Sequence, residues 1–196
     1  MSSVSLWVRD LPTPPRLLPE ASRQRSIEGS RRYHDQRRET RKAQRESDVS
    51  AASASIGQLS GRELLIAGAI AYWCEGEKAK PQLRTYEGVN FINSDPGLIL
   101  LFLRFLDATG TSRTQLSYRV HIHETADVAA VTRYWRDLTG ASQDQFIKPN
   151  IKRHSPKTVR KNTGSDYYGC LQIRVLKSAA LYRQIEGWAS AAMSAA

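Results

Sequence analysis

Ala67-Gly68-Ala69-Ile70-Ala71-Tyr72-Trp73-Cys74-Glu75-Gly76-Glu77-Lys78 reads as a helix that is apolar on every side and stops at a carboxylate, a glycine and a lysine. Such a helix is expected to be buried all round, as a core element or as one half of a tight helix pair. Its start is marked by Ser60-Gly61-Arg62-Glu63, a capping box in which serine bonds forward and glutamate bonds back to exposed amides. Glu75 falls in the last turn, where the negative end of the helix dipole disfavours a carboxylate by about 0.3–1 kcal/mol unless a cation, a metal or Lys78 compensates. An acid kept there points to work other than folding. The alternative is an ordinary ion pair with Lys78 or Arg62.

The elements after this helix set the fold class. A polar connector, Lys78 to Glu87, is a candidate for one strand of a hairpin, and Val89-Asn90-Phe91-Ile92-Asn93 alternates as a strand should. Asp95-Pro96 supplies an N-cap and a first-turn proline for a helix that puts Leu98, Leu101, Phe102, Phe105 and Leu106 on one face and ends at Gly110. Leu116 to His123 alternates again, and Ala126 to Leu138 is amphipathic through Val128, Val131, Trp135 and Leu138. Gln145 to Ile151 and Tyr168 to Val175 read as strands, and Ser178 opens a last helix carrying Leu181, Ile185 and Trp188. This mixture predicts an α+β domain over residues 59–192, with helices packed on one face of a mostly antiparallel sheet and the other face free. Tyr72-Trp73-Cys74-Glu75 is echoed by Tyr134-Trp135-Arg136-Asp137, which makes Asp137 a second candidate acid if the two helices are equivalent.

Charge points to a polyanion. The chain has 196 residues and a formal net charge of +10, with room for one ordinary core plus an arm. Residues 16–58 form that arm and linker: Arg31-Arg32, Arg37-Arg38 and Arg41-Lys42 alternate with glutamates and leave few large apolar residues. A solvated helix or a disordered segment is expected there, with a hinge at the Ser- and Ala-rich stretch Val49 to Ile56. Residues 1–15 read as a short helix stopped by prolines, with Val4, Trp7 and Val8 on one face and Ser2, Ser3, Ser5 and Arg9 on the other. That segment is similar to the recognition helix of helix-turn-helix domains, which makes Ser2, Ser3 and Arg9 candidate DNA contacts; a frayed amphipathic terminus is the alternative.

Between Lys148 and Lys161 the cations Lys148, Lys152, Arg153, Lys157, Arg160 and Lys161 stand with His154 and no acid. A loop of unneutralised cations and hydroxyls suits a phosphate backbone. His121 and His123 share one strand face, an arrangement open to a transition metal or a phosphate, although no third ligand is evident. Tyr167 and Tyr168 stack on bases or simply close the loop. Cys74 and Cys170 are the only cysteines and form no CxxC pair, so two packed, reduced thiols are expected, and with them a cytoplasmic protein. No apolar run reaches the roughly 20 residues of a membrane span.

The helix ending in Glu75-Gly76, preceded by the small pair Ala67-Gly68, resembles the LAGLIDADG family of DNA-binding proteins and homing endonucleases. The resemblance implies a saddle-shaped free sheet face laid into the major groove of DNA, and a homodimer through the 60–76 helix. It also implies that Glu75 is the metal-binding acid for Mg²⁺-dependent cutting. Binding itself would need no cofactor. The expectation is thus a sequence-specific, nucleoid-associated regulator that binds double-stranded DNA; a homing-type endonuclease using Glu75, with Asp137 or a symmetry mate, is the alternative. An RNA-binding basic protein is the second alternative.

Overall fold

The computed structural model describes residues 19–78, 87–152 and 168–194. The expected segment 1–15, with Ser2, Ser3 and Arg9, lies outside the described residues, as do most of the Lys78 to Glu87 connector and the loop positions Arg153, His154, Lys157, Arg160, Lys161 and Tyr167. The chain divides into two compact units, Met1–Gln58 and Leu59–Ala196.

The described part of the first unit is one helix, α1 (Glu20–Ile56), of 37 residues with none buried. Its arginines and glutamates offer no apolar stripe, so the helix by itself has nothing to bury. The stretch 49–56, expected as a hinge, is instead helical to Ile56, and the break comes at Gly57 with φ 60°. Alanine is the best helix former, and three of these eight residues are alanine.

The second unit runs α2 (Gly61–Glu75), β1 (Asn90–Asn93), α3 (Pro96–Ala108), β2 (Leu116–His123), α4 (Val128–Thr139), β3 (Asn150–Lys152), β4 (Cys170–Val175) and α5 (Ala179–Ser194). It is an α+β fold. The sheet order is β1-β4-β2-β3. β4 pairs antiparallel with both β1 and β2, and β3 pairs parallel with β2. The helix α4 lies between those parallel strands in sequence, which gives it the role of crossover that a parallel pair requires. β3 is shorter than the strand expected from Gln145: Ile147 still donates to the Tyr118 carbonyl at 2.9 Å, but Pro149 has no N–H to continue the ladder.

Alternation in the strands decides the faces. Phe91, Leu116, Tyr118, Val120, Ile122, Leu171, Ile173 and Val175 join one buried cluster with residues from α2 to α5. The capping box at the start of α2 is formed, with Glu63 accepting from the Ser60 amide at 2.7 Å. The Ser60 hydrogen bonds hold the Glu63 carboxyl below its ordinary value, so their contribution is present above the usual carboxylate range and is lost as pH falls through the lowered value.

Burial of α2 is narrower than expected. Gly68, Ala69 and Tyr72 are buried, whereas Ile66 is 42% exposed. Cys74 is exposed and Cys170 half-buried, both as free thiols, so the two packed cysteines expected are not found. Gly68 lets α3 come close: a Cβ there would sit 2.2 Å from the Phe105 ring. The small pair thus serves a crossing within the chain. The two Tyr-Trp helices also differ, since in α2 the tyrosine is fully buried and in α4 the tryptophan is.

Candidate nucleic-acid interface

The exit from α2 brings a carboxylate onto the sheet. A Cβ at residue 76 would lie 2.6 Å from both the ring and the carbonyl of Tyr72, so only glycine lets the chain turn past that tyrosine. Tyr72 Oη donates to the Glu77 carbonyl at 2.8 Å, and the Glu77 amide donates to the Asn90 carbonyl at 2.9 Å. The glycine after the candidate acid therefore delivers Glu77, rather than Glu75, to the edge of β1. Glu75 is exposed at the helix end, where it accepts from Asn93 Nδ2 at 3.4 Å. Lys78 lies over the Trp73 ring at 5.4 Å.

The register collects polar side chains on the sheet face opposite the helices. Asn90 stands opposite Arg174 and Ile92 opposite Gln172; Ser117, Arg119 and His121 stand opposite Arg174, Gln172 and Cys170. His121 and His123 stand opposite Asn150 and Lys152. A continuous row of hydrogen bonds crosses this face. Glu77 Oε2 accepts from Asn90 Nδ2 at 2.6 Å, and Asn90 Oδ1 accepts from Gln172 Nε2 at 2.8 Å. Gln172 Oε1 lies 2.8 Å from His121 Nε2, and His121 Nδ1 lies 3.1 Å from Asn150 Nδ2. Both ring nitrogens of His121 are thus engaged with side-chain amides. His123 is buried and pairs through Nδ1 with Thr125 Oγ1 at 3.0 Å. The positive φ of Gly169, 62°, starts β4 beside His121, whose carbonyl a Cβ at residue 169 would meet at 2.3 Å.

Arg119 is the exception on this face. Its Nε is buried and has no hydrogen-bond partner among the described residues, a state that costs about 1–3 kcal/mol. Arg174 is diagonal to it in the register and His121 follows two positions along β2 on the same face. The arrangement offers donors and cations to an anionic ligand over the width of the sheet.

The other sequence candidates are placed separately. Lys148 is exposed and lines a groove of about 520 Å³ with Arg133, Arg136 and Gln143, between α4 and residues 146–149. Lys152 is exposed at the end of β3. Asp137 is exposed and ion-pairs with its neighbour Arg136 at 3.3 Å. Among the described residues no group of three or more His, Cys, Asp or Glu side chains is placed to hold a metal ion. Glu75 accepts from Asn93 and Glu77 from Asn90.

Glu77, Asn90, Arg119, Asn150, Gln172 and the groove arginine Arg133 carry no local motif and escape a reading by segments. The available signal is the polar half of each alternating strand, which marks positions 117, 119, 121, 172 and 174 before any pairing is known. Compared with family models, with curated proteins and with solved structures, the chain matches none.

Proposed function

We propose that this chain binds double-stranded DNA sequence-specifically through the helix-free face of its sheet, as a nucleoid-associated regulator. The observation that carries the reading is the ordered row of amide and imidazole groups across this face, which ends at the exposed Asn150. Base edges and phosphates meet the polar side chains of that face, and the major groove of B-DNA admits a β-ribbon. The net charge of +10 and the arginine-rich α1 add the salt-dependent, sequence-independent part of the affinity. The resemblance of the Glu75-Gly76 helix to the LAGLIDADG family points the same way. In this reading two copies meet through the 60–76 helix, covering the side of α2 that holds the exposed Ile66 and Cys74.

Cutting is the second reading, carried by the exposed Glu75 carboxylate at the end of α2. Selection from a random duplex pool at fixed salt, followed by incubation with Mg²⁺, separates the readings. A regulator enriches one sequence and leaves it intact. Cleavage by the native chain but not by Glu75→Gln would assign the nuclease, and preference for structured RNA over duplex would assign the RNA-binding alternative.

A further expected result follows from Arg119. Replacing it with methionine removes the orphaned donor, so Arg119→Met should raise the unfolding free energy by about 1 kcal/mol while weakening duplex binding about tenfold. Loss of stability with undisturbed binding would show that Arg119 serves the fold alone.

A further inference from the structure

The hydrogen-bond row on the polar face has a direction, and the direction is set at one end. An ionised carboxylate only accepts, so Glu77 obliges Asn90 to turn its N–H₂ outward along β1. Asn90 then presents its oxygen to the Gln172 N–H₂, Gln172 presents its oxygen to His121, and His121 must carry its proton on Nε2. The bare Nδ1 of His121 accepts from the Asn150 amide. At the far end Asn150, which is exposed, keeps one amide N–H and its oxygen outside that row.

That donor and acceptor pair is what adenine requires, the oxygen taking the N6 proton and the N–H reaching N7. We infer that Asn150 reads an adenine and that Glu77 is a positioning residue, which dictates Asn150's orientation through four hydrogen bonds without touching DNA. This rests on the DNA-binding reading above. It also has a consequence that packing alone does not. A donor in place of Glu77 reverses every link: Asn90 turns its oxygen to it, Gln172 flips, His121 takes its proton on Nδ1, and Asn150 turns its oxygen inward. Asn150 then shows two N–H donors, which match the O6 and N7 acceptors of guanine.

The test uses the full chain and its Glu77→Gln, Glu77→Lys and Asn150→Ala variants. Glu77 is exposed, so these changes leave the core intact. The native chain should prefer adenine at one position by roughly tenfold. Asn150→Ala should abolish that preference, Glu77→Gln should relax it, and Glu77→Lys should move it towards guanine. In the DNA-free protein, ¹⁵N spectra of His121 should show the Nε2–H tautomer in the native chain and Nδ1–H in Glu77→Lys. An unchanged adenine preference in the Glu77 variants, or an unchanged His121 tautomer, overturns the inference and leaves DNA binding standing. A native chain that selects no duplex sequence overturns the DNA reading, and this inference with it.

Discussion

Trp135→Ala is expected to cost about 3–5 kcal/mol, the range for truncating a fully buried tryptophan. Trp135 is 0% exposed in the core under α4, and its Nε1 donates to the Tyr168 carbonyl at 2.8 Å. Truncation leaves a cavity and also strips that carbonyl of its partner, so two losses fall on one site. The neighbouring Tyr134 stacks on Tyr168 with ring centroids 3.8 Å apart, so the Tyr-Trp pair of α4 holds the chain where it enters β4. Burial is the larger part of the effect. Trp135→Phe, which keeps most of the volume and loses the donor, should cost much less. Urea unfolding followed by circular dichroism checks both; a loss under 1 kcal/mol in the alanine variant would remove α4 from the core.

Gly68→Val is expected to destabilise by about 3 kcal/mol, the upper end of overpacking costs. The Cβ alone would fall 2.2 Å from Phe105 Cγ and 2.5 Å from Phe105 Cβ. Phe105 has little room to yield: it is 0% exposed and held between Phe102 at 5.8 Å and Trp188 at 6.2 Å. Gly187 in α5 is the control, because a Cβ there meets nothing within 4 Å. Gly187→Ala should stabilise by about 0.5–1 kcal/mol through backbone entropy. Equal effects at the two glycines would mean that helix propensity, not the α2–α3 crossing, governs residue 68.

These two sites show what local sequence can and cannot convey. The capping box at Ser60 and Glu63, the Asp95-Pro96 start of α3 and the alternation over Leu116–His123 are local signals, and each element forms where it is expected. Two elements differ from expectation: Pro149 shortens β3, and alanines carry α1 through the expected hinge. The exposure of Cys74 follows from which side of α2 meets α3 and α5, a tertiary choice that an evenly apolar helix does not encode. The candidate site is non-local in the same sense. Glu77, Asn90, His121, Asn150 and Gln172 come from five separate segments, and only strand pairing puts them in one row. His121 stood out because alternation exposed its face; its partners are ordinary amides. The basic loop from Lys148 is legible as charge alone, and of its candidates Lys148 and Lys152 lie among the described residues.

The claim that matters most is that DNA lies on the polar face of the sheet, opposite α2 to α5. Titrating the ¹⁵N-labelled chain with its selected duplex and following side-chain and amide resonances addresses it directly. The account predicts that Arg119, His121, Asn150 and Gln172 shift together, while core residues such as Ile185 stay in place. Shifts confined to the arginine-rich α1, with the sheet unmoved, would contradict it.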